Sequence, residues 1–287
     1  MRDIIECLRV RQWTKNSLLF AALIFSSHAL QMSYVLRTGT AFILFSLGTG
    51  AVYIFNDILD VERDREHPIK KTRPIASGRV KRNIGWLLFF LLCVLSLIPG
   101  FFLSRNFGIV MVLYIAVQVL YSVIFKNIVI LDVFIISIGF LLRVIAGAVV
   151  IQVEISNWIL VCTMLLALFL ALSKRRHELT LLEENAHTHR IILREYTLCL
   201  LDQMISVVTA ATLVAYMIFT LSAETISKFG RNMVLTVPFV LYGIFRYLYL
   251  VHRKNAGGQP EEILLTDIPL QLDILAYGIT AVLVIYF

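Results

Sequence analysis

A chain of 287 residues that is 59% hydrophobic and only 16% charged is too apolar for a soluble domain. It fits a polytopic helical membrane protein. The net charge of +7 invites a nucleic-acid reading, but Lys- and Arg-rich cytoplasmic loops account for it more simply, so no nucleic-acid partner is expected. The four cysteines, Cys7, Cys93, Cys162 and Cys199, show no paired spacing and read as small hydrophobes, not as a disulfide or zinc framework.

Hydropathy gives nine spans, at roughly 17–35, 38–57, 84–104, 107–125, 128–152, 156–173, 198–222, 232–251 and 269–287. With the N-terminus inside, the cytoplasmic segments hold twenty of the twenty-six Lys and Arg residues. That asymmetry predicts a multi-pass protein of the cytoplasmic (inner) membrane. Charges ahead of the first apolar run argue against a cleavable signal peptide. No loop exceeds about 25 residues. Residues 1–287 are therefore expected to form one integral-membrane domain, an all-α bundle whose helices satisfy their own backbone groups in lipid.

In chain order, Leu8–Phe20 is amphipathic and basic, with Trp13 as an interfacial anchor. Lys15 and Asn16 stand where the first span begins and are candidates for substrate binding. The stretch Tyr53–Arg82 carries the strongest signal. Asn56, Asp57, Asp60 and Asp64 fall at roughly 0°, 100°, 40° and 80° around a helix, on one side of it. Oxygen ligands crowded together repel one another unless a hard cation neutralises them, and Mg²⁺ is the usual choice with phosphate substrates. Directly downstream lie Arg65, His67, Lys70, Lys71, Arg73, Arg79, Lys81 and Arg82. Acids for a metal beside bases for phosphate describe a site for a phosphorylated substrate, facing the cytoplasm.

Span four ends with Tyr121 and Lys126 near the surface. In span five Asp132 and Arg143 are eleven residues apart and share a face, about 16 Å apart along the axis. Gly139 and Gly147 near that face permit close helix approach. Arg143 is deep in the span and needs a polar interior; a lipid phosphate or a cavity carboxylate is its expected partner. Lys174, Arg175 and Arg176 close span six, either as a topology signal or as phosphate contacts. His187 and His189 lack a third ligand at standard spacing. Arg246 lies near Tyr242 and Tyr249, and a Gly-Gly-Gln-Pro turn leads toward Asp267 and Asp273.

The pattern Asn56-Asp57-x-x-Asp60-x-x-x-Asp64, followed by Arg73-Pro74-Ile75-Ala76-Ser77-Gly78, resembles the first signature of the UbiA superfamily of intramembrane prenyltransferases. The chain is most similar to the decaprenyl-phosphate phosphoribosyltransferase branch. The matching pieces are Arg11-Gln12-Trp13-x-Lys15-Asn16, the block from Asp60 to Gly78, Tyr121-Ser122 with Lys126 and Asp132, Lys174-Arg175-Arg176-x-Glu178-Leu179, and Leu265-Thr266-Asp267. Aromatic prenyltransferases of the superfamily carry a second aspartate-rich motif after the sixth span. This chain has Glu178, Glu183 and Glu184 there, and no Asp-x-x-x-Asp.

The resemblance implies a UbiA-like bundle of nine spans. It implies transfer of 5-phosphoribose from phosphoribosyl pyrophosphate to a polyprenyl phosphate. Asp57, Asp60 and Asp64, with Asn56 as a neutral ligand, would hold the Mg²⁺. Lys70, Lys71 and Arg73 would bind phosphate. Lys15, Lys126 and Arg143 would orient the lipid phosphate, Tyr121 and Asp132 would meet ribose hydroxyls, and Lys174 and Arg175 would add phosphate contacts. A homo-oligomer is left open. The competing readings are a quinone-precursor prenyltransferase using a polyprenyl diphosphate, and a transporter whose intramembrane charges line a pathway.

Overall fold

The structure is a computed structural model. It describes residues 2–66, 70–184, 193, 195–253, 263–264 and 266–286; of residues 2 and 181–184 it describes the backbone alone. His67, Pro68, His187, His189, Leu265, the Gly257-Gly258-Gln259-Pro260 turn and the side chains of Glu183 and Glu184 lie outside the described residues. Among the described residues every regular element is helical, and eight helices are long and apolar enough to cross a membrane. The chain divides into two compact units, Met1–Ile155 and Ser156–Phe287.

The first unit runs α1 (Arg2–Leu8), a 3₁₀ run (Val10–Leu18), α2 (Leu19–Phe25), α3 (Met32–Leu59), α4 (Val61–Glu66), a 3₁₀ turn (Lys70–Thr72), α5 (Arg82–Leu103), α6 (Arg105–Val123), a 3₁₀ turn (Phe125–Asn127) and α7 (Leu131–Ile151). Helix α3 is its axis, touching α1, α2, α5, α6 and α7. Small residues Gly48, Thr49, Gly50 and Ala51 along α3 let these neighbours close in, and all four are buried. One apolar core joins α2, α3, α6 and α7 through Leu19, Phe45, Phe107, Met111 and Val150. A second joins α3 to α5 and the loop before it, through Ile54, Ile58, Ile75 and Val80. Outward residues such as Leu87, Phe90 and Phe102 are large, apolar and exposed, as a lipid-facing surface requires.

The first expected span, 17–35, is not one helix. Its start belongs to a nine-residue 3₁₀ run, and α2 stops at Phe25. Ser27 then takes a left-handed φ of 60°, and the His28 N–H donates back to the Leu23 carbonyl at 3.3 Å. That reversal, of the kind that closes helices, lets α3 begin at Met32, six residues ahead of the expected 38. A 3₁₀ run of nine residues is also unusual, since such runs rarely exceed four.

The second unit runs α8 (Asn157–Glu184), α9 (Leu198–Leu221), α10 (Ala223–Phe229), a 3₁₀ run (Arg231–Thr236), α11 (Val237–Arg253) and α12 (Ile268–Tyr286). Helix α9 packs on α8 and α11, and α11 on α12. Tyr216 on α9 reaches Thr236 at 2.6 Å and Tyr277 at 3.3 Å, tying three elements with hydroxyls in an otherwise apolar setting.

The two glycines of α7 differ in what they permit. A Cβ on Gly147 would stand 2.0 Å from the Leu19 carbonyl oxygen, so α2 and α7 touch backbone to backbone. A Cβ on Gly139 would meet side chains alone, the Gln118 amide at 2.5 Å and Arg143 Nη1 at 3.5 Å. Gly147→Ala is therefore expected to destabilise the detergent-purified protein by about 1–3 kcal/mol, because no side chain can move aside. Gly139→Ala should cost less. Equal melting temperatures for the two variants would refute this account of the α2–α7 contact.

Candidate active site

Helix α3 ends at Leu59, and Asp60 sits at its C-terminus in a bridge-region conformation (φ −93°, ψ 8°). The helical hydrogen-bond rhythm nevertheless continues. The Asp60 N–H donates to the Asn56 carbonyl at 3.0 Å, and the Asp64 N–H to the Asp60 carbonyl at 2.8 Å. Asn56, Asp60 and Asp64 thus remain stacked one turn apart across the α3–α4 junction, as their spacing predicts.

Asp57 and Asp64 are buried, Asp60 is half-buried, and cations neutralise all three. Asp57 Oδ1 accepts from Arg73 Nη1 at 3.0 Å, and Asp64 Oδ2 accepts from the same nitrogen at 2.6 Å. Arg9 Nη2 also donates to Asp57 Oδ1. Lys126 Nζ donates to Asp60 Oδ1 at 2.7 Å. The side chains of Asp57 and Asp64 are 3% and 5% exposed, so an unpaired charge on either would be costly. Three acids therefore face three cations, drawn from the end of α1, the loop after α4 and the 3₁₀ turn after α6.

Each cation is fixed by its own local structure. Arg9 has a left-handed φ of 49° where α1 meets the 3₁₀ run, and its guanidinium lies 5.0 Å from the centre of the Tyr53 ring, one turn before Asp57. Arg73 is anchored by the residues just after it. Pro74, Ile75 and Ala76 are buried, Ile75 in the core beside Ile58. The Ser77 hydroxyl donates to the Arg73 carbonyl at 2.8 Å, and Arg65 Nε to the Ala76 carbonyl at 3.2 Å. Arg79 clamps this loop from outside, on Asp3 and Glu6 of α1 and on the Thr72 carbonyl. Those carboxylates raise the pKa of its guanidinium. Lys126, itself buried, extends from the turn after α6.

A second polar knot lies deeper. Arg143 on α7 donates to Asn16 Oδ1 at 2.8 Å, to the Gly139 carbonyl at 2.7 Å and to the Tyr114 hydroxyl at 2.9 Å. The rings of Tyr114, Phe140 and Phe45 lie 4.9, 5.3 and 5.8 Å from its guanidinium carbon. Asn16 in turn donates to Ser46 Oγ at 3.0 Å and is fully buried. The protein partners of Arg143 seen among the described residues are neutral, with no carboxylate among them. Oriented amide, hydroxyl and carbonyl dipoles, together with ring faces, supply the compensation a deep cation needs.

Among the other residues singled out, Lys15 is half-buried and donates to Gln12. Lys70 and Tyr121 are half-buried, Lys71 is exposed, and Asp132 is fully buried in the first turn of α7. Lys174 and Arg175 belong to the second unit, where Arg175 is buried and pairs with Glu178. Arg9 escaped the sequence reading. It was one of several N-terminal charges, and nothing in its spacing marked it. The usable signal was arithmetic: a cluster of buried acids demands matching cations nearby.

The donor chemistry suits Mg²⁺, since Asp57, Asp60, Asp64 and Asn56 offer hard oxygen atoms at one helix end. Among the described residues no three Asp, Glu, His or Cys side chains form a ready metal-holding group. The cations Arg9, Arg73 and Lys126 hold the carboxylates instead.

Eight apolar helices with a buried ionic cluster at the end of α3 define a multi-pass membrane protein with a polar intramembrane site. The model of the UbiA prenyltransferase family matches residues 17–262, and the chain belongs to that family. It is 36% identical to a decaprenyl-phosphate phosphoribosyltransferase of Mycolicibacterium smegmatis, across 99% of this chain and 92% of that protein. It is 35% identical to the Mycobacterium tuberculosis protein of the same name, across 96% and 91%. The fold matches a UbiA homolog from Archaeoglobus fulgidus solved with GPP and Mg²⁺, at a TM-score of 0.74 and 17% identity over 99% of this chain and all of that one.

Arg73→Ala leaves two buried carboxylates short of a partner and is expected to cost about 3 kcal/mol. Arg79→Ala removes an exposed clamp and should lower the melting temperature less. The reverse order would show that the shared guanidinium is not what holds this junction. Cys7, buried beside Asp57, has its thiol pKa pushed up to about 11, chiefly by burial and then by the Asp57 and Glu6 charges. At pH 8 it should resist maleimide while exposed Cys199 reacts. Labelling of both at equal rates in the folded protein would contradict that burial.

Proposed function

We propose that this protein transfers 5-phosphoribose from phosphoribosyl pyrophosphate to a polyprenyl phosphate at the cytoplasmic face of the inner membrane, releasing pyrophosphate. The observation that carries the reading is the largely buried cluster at the α3–α4 junction, where three carboxylates meet three cations. Full-length relatives named decaprenyl-phosphate phosphoribosyltransferase support the choice of substrates.

Asp57, Asp60 and Asp64, with Asn56, are the residues that would hold Mg²⁺. Bound there, the ion would neutralise the pyrophosphate and stabilise it as a leaving group. The chain's own residues do the rest. Arg9, Arg73 and Lys126 already balance the acids, so their donors are at hand for phosphate oxygens when a charged donor arrives. Lys70 and Lys71, on the turn just before Arg73, extend the positive surface toward the ribose 5-phosphate.

The reaction breaks the bond from ribose C1 to the pyrophosphate oxygen and forms one from C1 to an oxygen of the lipid phosphate. Positive charge develops at C1, as in other glycosyl transfers. The lipid phosphate is already an anion, so no strong general base is needed; the protein mainly positions it. Lys15 and Arg143 are the cations assigned to that task, and Tyr121 and Asp132 are assigned to the ribose hydroxyls.

The test is direct. Membranes bearing the protein, given Mg²⁺, labelled phosphoribosyl pyrophosphate and a polyprenyl phosphate, should place label in a lipid product of the mass of phosphoribosylated lipid. Asp64→Asn at equal expression should lower turnover roughly 100-fold or more. Unlabelled lipid, or prenylation of an aromatic acceptor from a polyprenyl diphosphate, would overturn the assignment.

A further inference from the structure

The second unit carries a groove of about 560 Å³ between α9 and α11. Its walls are mostly apolar, with Leu213, Phe245 and Tyr249 among them. Two features separate it from an ordinary furrow between helices. One end is charged. His252 lines the groove and its Nε2 lies 3.2 Å from Asp202 Oδ1, which Arg176 Nε also reaches at 2.6 Å. Arg253 is an exposed neighbour, next in the chain. Among the described residues, the guanidinium groups of Arg176 and Arg253 and the His252 imidazole lie at this end with one carboxylate, that of Asp202. The wall also contains Thr209, only 8% exposed, whose Oγ1 has no hydrogen-bond partner among the described residues. A hydroxyl left unpaired against lipid is costly, and a ligand acceptor would relieve it.

The order of these groups along α9 carries the rest. Measured from Asp202, Ser206 and Thr209 lie about 6 and 10 Å further along the axis, and Leu213 beyond them. Charge, then hydroxyls, then apolar wall is the order in which a glycerophospholipid presents its phosphate, its ester carbonyls and its acyl chains. Surplus positive charge at the mouth selects an anionic headgroup.

We infer that the α9–α11 groove is a binding site for an anionic glycerophospholipid of the surrounding bilayer, with its phosphate at His252, Arg176 and Arg253 and an ester carbonyl accepting from Thr209. The occupant is a resident lipid, separate from either substrate of the proposed transfer.

The experiment is native mass spectrometry of the full-length protein, delipidated in detergent and titrated with phosphatidylglycerol or phosphatidylcholine of matched chains. Phosphatidylglycerol adducts should form at least about tenfold more tightly, a difference of about 1.4 kcal/mol. The double variant His252→Gln, Arg253→Gln should erase the preference. Thr209→Val separates a ligand from a packing residue. Without lipid it should melt at or above the wild-type temperature, since it deletes an unpaired hydroxyl. With phosphatidylglycerol it should gain less stability than the wild type. Equal affinity for the two lipids, retention of the preference in the double variant, or displacement of lipid by a second copy of the chain would each overturn the assignment. Activity is not the readout, so failure here would leave the transferase reading intact, and the converse also holds.

Discussion

One guanidinium nitrogen, Nη1 of Arg73, serves two buried carboxylates at once. Asp57 lies in the last turn of a long apolar helix and Asp64 sits on the short helix after it, so this nitrogen pins the junction between them. Remove it, and two charges in a low-dielectric pocket lose a counterion, which typically outweighs any single packing contact in the region. Much of the unit serves to keep that nitrogen in place. The buried Pro74-Ile75-Ala76 segment, the core contact with Ile58 and the outer clamp of Arg79 on α1 converge on the backbone that carries Arg73.

The same economy explains the irregular N-terminal segment. An ideal helix from α1 into α2 would carry Arg9 away from Asp57. A left-handed residue at Arg9 and a 3₁₀ run after it instead bring Arg9 to Asp57 and Asn16 to Arg143. That path is possible because α2 lies against the bare backbone of Gly147. Backbone geometry, helix contact and charge compensation are thus one problem, solved together. The acids are balanced by these cations, so on the proposed reading metal or phosphate would displace existing pairs. That makes binding an exchange of partners, and exchange is a cheaper route than exposing bare charges in the membrane.

Much of this was legible in the sequence. The acid spacing survives the break at Asp60 because hydrogen bonds continue through it, and periodicity reads hydrogen-bond geometry rather than helix labels. Eight of the nine expected spans match helices within a few residues at most of their ends. The first, 17–35, is not a single helix, because a hydropathy window averages over Ser26, Ser27 and His28 and cannot register one left-handed residue. That Arg73 meets Asp57 and Asp64 could not be read, since sequence shows which charges exist but not which of them meet. Arg143 announced itself as a deep cation, yet Asn16 and Tyr114, from distant segments, could not be named as its partners. Long-range pairing of this kind is set by the fold, and no local pattern encodes it.

At the centre of the proposed function, the acids of the α3–α4 junction would grip a divalent metal together with a diphosphate. Electron paramagnetic resonance of Mn²⁺, titrated into purified protein with phosphoribosyl pyrophosphate present, measures that grip without any turnover. Protein-dependent loss of the free-ion signal is expected for the wild type, and at least about tenfold weaker uptake for Asp57→Asn. Equal uptake by both proteins, or uptake equal to that of phosphoribosyl pyrophosphate alone, would contradict it.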